Sequence, residues 1–326
     1  MRNHLLNYII VALLLLSSTE GNAQLAPHFS QAVWQQAVHN PGAVGNETAL
    51  RLNGIVRAQW LGLNGSPMTQ VVSADLPIPL FNIGIGFVAQ NESLGAFKQS
   101  SFRFNSSFKL INNSRLLAIG VGVGVKQARL DGSLLITPEG SYDENIIDHR
   151  DALLDEQATQ SIIPSVDFGV YYRDQSWEAG AIVGQIIPSR FKLGVNNAST
   201  IGLEPIFQAY LNRIISLGYN FEIKPTVWMY SNLKSTQMTV GLLFGYQKKI
   251  DLGIFVRGYN KQSIDALIAT VAYNVNDRLR VAYGYDYPLS NLNNFTKQSH
   301  EFTVTHHIYS LFGGKKGKII YNPRFL

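Results

Sequence analysis

Ten consecutive residues constrain this chain more than any other feature. In Ser101-Phe102-Arg103-Phe104-Asn105-Ser106-Ser107-Phe108-Lys109-Leu110 every second residue is apolar apart from Ser106, and those between are Ser, Arg, Asn and Lys. A period of two places one set on each face of a β-strand, with Phe102, Phe104 and Phe108 opposite Arg103, Asn105 and Lys109. The rhythm recurs about fourteen times between Ala49 and His307. Repeated two-faced strands with an apolar outer face and a polar inner one predict a transmembrane antiparallel up-and-down β-barrel of about 14 strands, an even number as bacterial barrels require.

The start of the chain agrees with export. Arg2, the apolar run 8–16 and Gly21-Asn22-Ala23 reproduce the three parts of a secretory signal peptide, so residues 1–23 are expected to be removed, leaving Gln24 first. The run is well short of the ~20 residues a membrane helix needs. Further on, residues 116–125 form one of the longest apolar stretches, and three of the ten are glycines. Charged residues make up 15% of the chain, against about 25% in soluble domains. Mean hydropathy is nonetheless only +0.02, so apolar and polar residues are interspersed. Without cysteine, disulfides and thiolate metal sites are excluded. The net charge of +5 lacks a basic cluster interleaved with aromatics, which argues against nucleic acid.

The expected organisation is a signal peptide (1–23), a polar lead-in that is periplasmic or folded into the barrel mouth (24–48), the outer-membrane barrel (49–308) and a basic periplasmic tail (309–326). Expected strands are 49–58, 68–76, 82–91, 97–110, 116–127, 163–173, 177–185, 206–216, 218–229, 236–247, 250–259, 265–275, 279–286 and 299–308. Fourteen strands enclose more room than eight, so a lumen or a plug is expected. On the fifth strand Ala118, Gly120, Gly122 and Gly124 share a face, a row against which another backbone or a plug can come close. Facing parity suggests an ion pair between inward Arg57 and Asp75. Phe81, Phe97, Tyr171, Tyr172, Tyr259, Tyr273, Tyr285 and Tyr287 near strand ends read as interfacial girdles.

With both termini periplasmic, connections 131–161 and 188–204 follow odd strands and fall outside. The first carries Glu139, Asp143, Glu144, Asp148, Asp151, Asp155 and Glu156 around Ile146-Ile147 and Leu153-Leu154. It reads as a short amphipathic helix, and as either a partner-binding surface (Asp143, Glu144, Asp148, Asp151, Asp155) or a solvated acidic loop. The tail with Gly313-Gly314-Lys315-Lys316-Gly317-Lys318 either meets an inner component or stays solvated.

Chemistry is sparse. His300-Glu301 with His306-His307 is not a His-Glu-x-x-His motif, and on a strand His300 and His306 stand roughly 20 Å apart. No Gly-x-Ser-x-Gly supports a serine nucleophile. Gly84-Ile85-Gly86 and the 120–124 glycines lack the following helix of a phosphate loop. No catalytic residue, metal ligand or cofactor is therefore assigned, and the chain is read as a non-enzyme.

Several blocks go beyond a generic barrel. Asn40-Pro41-Gly42-Ala43-Val44-Gly45 resembles the Asn-Pro-Ala-x-x-Gly opening of the PorP/SprF family of Bacteroidetes outer-membrane proteins. The stretch 57–69, with Arg57, Gln59, Trp60, Gly62, Gly65, Pro67 and Thr69, resembles that family's Arg-x-Gln-Trp-x-Gly-x-x-Gly-Ala-Pro-x-Thr block. Tyr285-Asp286, then Ser299-His300-Glu301, and Asn322-Pro323-Arg324-Phe325 are similar to its late motifs. Gly42, Ser66 and Asn322 depart from the usual Ala, Ala and Cys. The resemblance implies a component of the type IX secretion system in the bacterial outer membrane. Members similar to SprF act with one secreted surface protein such as an adhesin, in some cases for gliding motility. Those similar to PorP serve the shared machinery and its periplasmic ring. The expected partners are secretion subunits or a secreted adhesin, together with outer-membrane lipids. The alternative is a porin-like diffusion channel for small solutes.

Overall fold

In a membrane every backbone N–H and C=O must find a partner within the protein, and strands achieve this only as a closed ring. The computed structural model describes residues 28–143, 146–151, 157–195, 199–259 and 263–309, and in it 14 antiparallel strands close such a ring. They are β1 (Leu50–Ala58), β2 (Met68–Ile78), β3 (Ile83–Leu94), β4 (Phe97–Asn112), β5 (Arg115–Asp131), β6 (Ala158–Arg173) and β7 (Trp177–Gly184). There follow β8 (Ile206–Arg213, resuming after Ile214 as Ile215–Leu217), β9 (Phe221–Ser231), β10 (Thr236–Tyr246), β11 (Ile250–Tyr259), β12 (Ser263–Asn274), β13 (Leu279–Pro288) and β14 (Ser299–Ile308). Each strand pairs with its neighbours in sequence, and β1 pairs with β14 from Leu50 opposite Ile308 to Ala58 opposite His300.

Alternation sets the two faces. On β4, Phe102, Phe104 and Phe108 are about half exposed on the outer surface, while Asn105 and Lys109 are buried inside. On β5, Leu117, Ile119, Val121, Val123 and Val125 point out and Ala118 is fully buried. Phe81, Tyr273 and Tyr287 are exposed as girdle aromatics should be. Tyr171 is not one of them. It faces inward, is buried, and donates to Glu178 at 2.6 Å. Phe97 also departs from the girdle, because it packs beside Phe191 and Leu193 of a loop hairpin.

The two ends differ. Where β1 starts, the connections are short: 79–82, 113–114, 174–176, 218–220, 247–249 and 275–278. The opposite end carries the long 59–67, 132–157, 185–205 and 289–298 together with the short 95–96, 232–235 and 260–262. The 185–205 connection holds a hairpin of Ser189–Leu193 with Ser199–Leu203, whose Phe191 and Leu193 bury against Ala128 and Ile163. In 132–157 the expected helix is replaced by a hairpin of Ser141–Asp143 with Ile146–Asp148. Consecutive β-branched isoleucines suit a strand, and Tyr142 ties the hairpin base by bonding Thr137 and His149. Glu144, Leu153, Leu154, Asp155 and Glu156 lie outside the described residues, as do the signal segment, the Gln24 start, Arg324, Phe325 and the tail beyond Tyr309.

The core sits inside the ring, not between layers. From His28 the lead-in occupies the lumen as 3-10 turns Ala32–Trp34 and Pro41–Ala43 flanking a one-turn helix, Gln36–His39. Its Phe29 and Val38 pack on Ile55, Val71 and Val88. Ala37, Ala43 and Val44 pack on Ala118, Tyr171, Tyr210 and Trp228, and Val33 on Leu243, Phe255 and Ile268. Each fully buried aliphatic side chain contributes roughly 1.5–3 kcal/mol, so a segment with no strand periodicity is held by the apolar members of the inward face.

Candidate functional site: a plug held across the lumen

One side of the plug is held by charge. Arg57 of β1 is almost wholly buried and pairs with Asp286 of β13 at 2.8 Å and Glu301 of β14 at 3.1 Å. Arg257 of β11 reaches the same Asp286 at 2.9 Å. Two guanidinium groups thus face two carboxylates, so the buried cluster is neutral. Ion pairs out of water are stable only when their remaining polar atoms are satisfied, and the plug supplies part of this, while Arg57 Nε and Arg257 Nε have no hydrogen-bond partner among the described residues. The backbone N–H groups of Ser30 and Gln31 donate to the Glu301 carboxylate at 2.8 and 3.0 Å. Ser30 Oγ accepts from Arg57 at 2.6 Å and donates to Asp286. Gln31 Nε2 donates to the Glu301 backbone carbonyl at 2.9 Å.

Arg57 therefore does not pair with Asp75. Register explains the difference: Arg57 lies opposite Thr69 on β2 and Glu301 on β14, whereas Arg51 lies opposite Asp75. Arg51 takes that carboxylate at 2.8 Å, and Asp75 also accepts from Gly45 N at 2.9 Å.

The other side is held by close approach. A Cβ on Gly120 of β5 would overlap the Pro41 carbonyl and Gly42 nitrogen, one on Gly169 of β6 would overlap the Asn40 amide, and one on Gly84 of β3 the Val44 carbonyl. The plug backbone thus lies directly on the wall where side chains are missing. Of the glycine row on β5 only Gly120 meets the plug. Gly122 instead makes room for the Arg103 and Asn105 side chains. Asn40 is the pin: its Oδ1 accepts from Gly42 N at 2.8 Å, and its Nδ2 donates to the Val170 carbonyl at 2.9 Å and Tyr210 Oη at 3.2 Å. Gly45 then turns the chain with φ +66, between Leu76 and Gly84, where a side chain has no space. Lys109 donates to its carbonyl, and Ser107 to that of Val44 at 2.8 Å.

Arg103 donates to the Val38 carbonyl and pairs with Asp167, bridging plug and wall between the two sides. His39 lies tilted against Phe29 and edge-to-face with Trp228, and burial with Arg103 nearby pushes its imidazole down to about 3. His28, at the start of the described plug, is held below its ordinary range by burial and then by Arg257 and Arg57. Both side chains are neutral at physiological pH.

The sequence motifs divide by face. Asp286 and Glu301 point inward to Arg57, whereas Tyr285 and His300 point outward, their rings 5.5 Å apart, with His300 Nδ1 at 2.6 Å from Tyr283 Oη. Thr69 is buried beside Arg57. Gln59 N donates to the Pro67 carbonyl at 2.9 Å, Trp60 N to Ser299 Oγ at 3.1 Å, and Gly95 N to the Gly65 carbonyl at 2.9 Å. Gly62 and Gly65 supply positive φ in that loop. The 57–69 block thus joins three neighbouring connections at the long-loop end. Of the acidic loop, Asp148 accepts from Arg150 N at 2.9 Å, and Asp143 and Asp151 stand in or beside its hairpin. Arg257, Gly169 and Tyr210 belong to the site but carry no sequence pattern beyond inward parity, and Ser30 and Gln31 of the plug carry none. Among the described residues no three His, Asp or Glu side chains are grouped to hold a metal ion.

A cavity of about 290 Å³ lies on one side of the plug, lined by Phe29, Val38 and His39, and another of about 950 Å³ on the other, lined by Val33, Trp34 and Gln36. A ring of two-faced strands with its lumen occupied in this way defines an outer-membrane β-barrel whose interior holds its own N-terminal segment. The family model of the type IX secretion system membrane protein PorP/SprF matches residues 21–306, and the chain belongs to that family. It is thereby an outer-membrane component of type IX secretion.

Among solved structures the chain is similar to the Acinetobacter baumannii outer membrane protein Omp33, at 7% identity and a TM-score of 0.46 over 80% of this chain and 98% of that one. It is similar to the CymD monoaromatic hydrocarbon channel at 12% and 0.47, over 89% and 95%. The KdgM porin aligns at 8% and 0.35, over 78% and 98%. Comparison with curated proteins yields no match.

Proposed function

We propose that this barrel is a noncatalytic docking component of type IX secretion, exported by its residue 1–23 signal, that holds a secreted surface protein such as an adhesin through its long-loop end. Both termini and the short turns face the periplasm in this reading, as short periplasmic turns and longer external loops do in bacterial barrels. A link to gliding follows where the held protein is a motility adhesin. The observation that carries the reading is the plug. With the lumen occupied from Ser30 to Gly45 and tied to the wall on both sides, binding falls to loops and rim and not to a through-path.

The competing reading is a diffusion channel for small solutes. Reconstitution into planar bilayers separates the two. Little or no steady conductance is expected from the intact chain, and a large stable pore would overturn the docking reading. Affinity purification from outer membranes, with and without residues 139–156, is expected to recover a large secreted protein or secretion subunits only with the loop present. Equal recovery by both forms would remove that loop from the binding surface.

A further inference from the structure

The plug leaves one large space at the short-turn end. A cavity of about 950 Å³ opens there, with the plug's Val33, Trp34 and Gln36 as its floor. Seven of the lining side chains are Lys or Arg and three are Asp or Glu, an excess of four positive charges. Asp75, Asp251 and Glu222 face the same lumen and pair with Arg51, Arg280 and Lys224, which reduces that excess to one. At the rim, Lys248, Lys249 and Arg278 make no ion pair with a carboxylate among the described residues, and Lys249 lies over the Tyr273 ring at 5.8 Å.

We propose that this vestibule binds an acidic, extended segment of a partner protein reaching the barrel from the periplasm. Its size and layout favour a chain over a single anion. The space is at the upper end of the roughly 300–1,000 Å³ seen for small-ligand pockets, far more than a phosphate or carboxylate fills. Its cations occur at three depths: Arg280 stacked over Trp34 at the floor, Arg173 and Lys224 on the wall, and Lys248, Lys249 and Arg278 at the rim. Carboxylates spaced along one peptide match that arrangement. Because such a segment would rest on Trp34, it would touch the plug itself. The site lies within the ring, which removes a lipid surface as its ligand.

The proposal rests on the short-turn end facing the periplasm, and the two can be tested apart. The chain has no cysteine, so Lys249→Cys is a single label site. Its reaction with a membrane-impermeant maleimide is expected only after the outer membrane is permeabilised, and labelling of intact cells would overturn the orientation alone. For binding, the full-length protein in nanodiscs is titrated with a short fluorescent Glu/Ser peptide, a Lys/Ser peptide of equal length and inorganic phosphate. The acidic peptide is expected to bind in a salt-sensitive way, and Lys248→Glu with Arg278→Glu, both in turns, to weaken it at least about tenfold. Equal binding of the basic peptide, unchanged affinity in the double variant, or full displacement by phosphate would each overturn the acidic-segment site.

Discussion

The two sides of the plug are held by opposite means. Toward β1, β11, β13 and β14 the wall contributes long charged side chains, and Arg57, Arg257, Asp286 and Glu301 enclose Ser30 and Gln31. Toward β3, β5 and β6 it contributes absence, since Gly84, Gly120 and Gly169 let the Asn40–Gly45 backbone lie on the sheet. A charged grip tolerates small shifts of the chain but fails when one partner is lost. A glycine cradle accepts no added atom, and the bonds on this side, from Asn40 to Val170 and Tyr210 and from Ser107 to Val44, fix a backbone already lying on the wall. The plug is therefore oriented by one side and seated by the other.

The largest expected effect comes from the charged side. Arg57→Met leaves Asp286 and Glu301 buried without their main partner, a loss of roughly 3–5 kcal/mol. Thermal unfolding of the purified barrel should show it, together with protease sensitivity of residues 28–45. An unchanged melt would mean that Arg257 alone balances the cluster. Next is Gly120→Val, where overpacking against the plug backbone costs about 1–3 kcal/mol and should raise bilayer conductance. Gly54→Val, with open space around its Cβ, is the matched control, and if both behave alike the cradle is not a seat.

Acidification probes the region between the sides. His39 is neutral in the docked plug, held down to about 3 by burial and by Arg103, whereas released it would titrate near its ordinary 6.5. Its contribution is fully present above pH 6.5 and falls away as pH drops toward 3, the loss reaching about 2 kcal/mol by pH 5. A shallower pH slope in His39→Phe would tie the effect to this imidazole, and an identical slope would assign it elsewhere, His28 first. Smallest is Lys234→Ala, which removes an exposed pair with Glu204 far from either grip. It should cost under about 1 kcal/mol and leave protease sensitivity of the plug unchanged.

The barrel was legible because a period of two survives in every strand, and each of the fourteen expected runs overlaps an observed strand. Parity identifies a face but not a partner. It placed Arg57 inward correctly, yet the choice among inward carboxylates is made by register, and the decisive partner, Glu301, lies across the closure between first and last strands. The plug was harder, since residues 28–48 carry no repeat. Its traces were indirect: Gly120 facing inward without a side chain, and the Asn40-Pro41-Gly42 turn. Tyr171 misled because an aromatic near a strand end suits a girdle equally well until its face is counted. The acidic loop misled because Ile146-Ile147, spaced with Leu153-Leu154 as for a helix, suits a hairpin strand equally well.

The Arg57 cluster joins residues separated by 229 and 244 positions in the chain. Arg257 and Asp286 can meet within the last four strands, but Arg57 on β1 reaches Asp286 and Glu301 only where the ring closes, so its charge is not neutralised until the first and final strands pair. Contacts of such sequence separation form late and slowly. During assembly, an open sheet would hold Arg57 without Glu301 and the N-terminal segment without its anchor. Sealing the wall and seating the plug thus become one event, and the buried charges record that the barrel was completed.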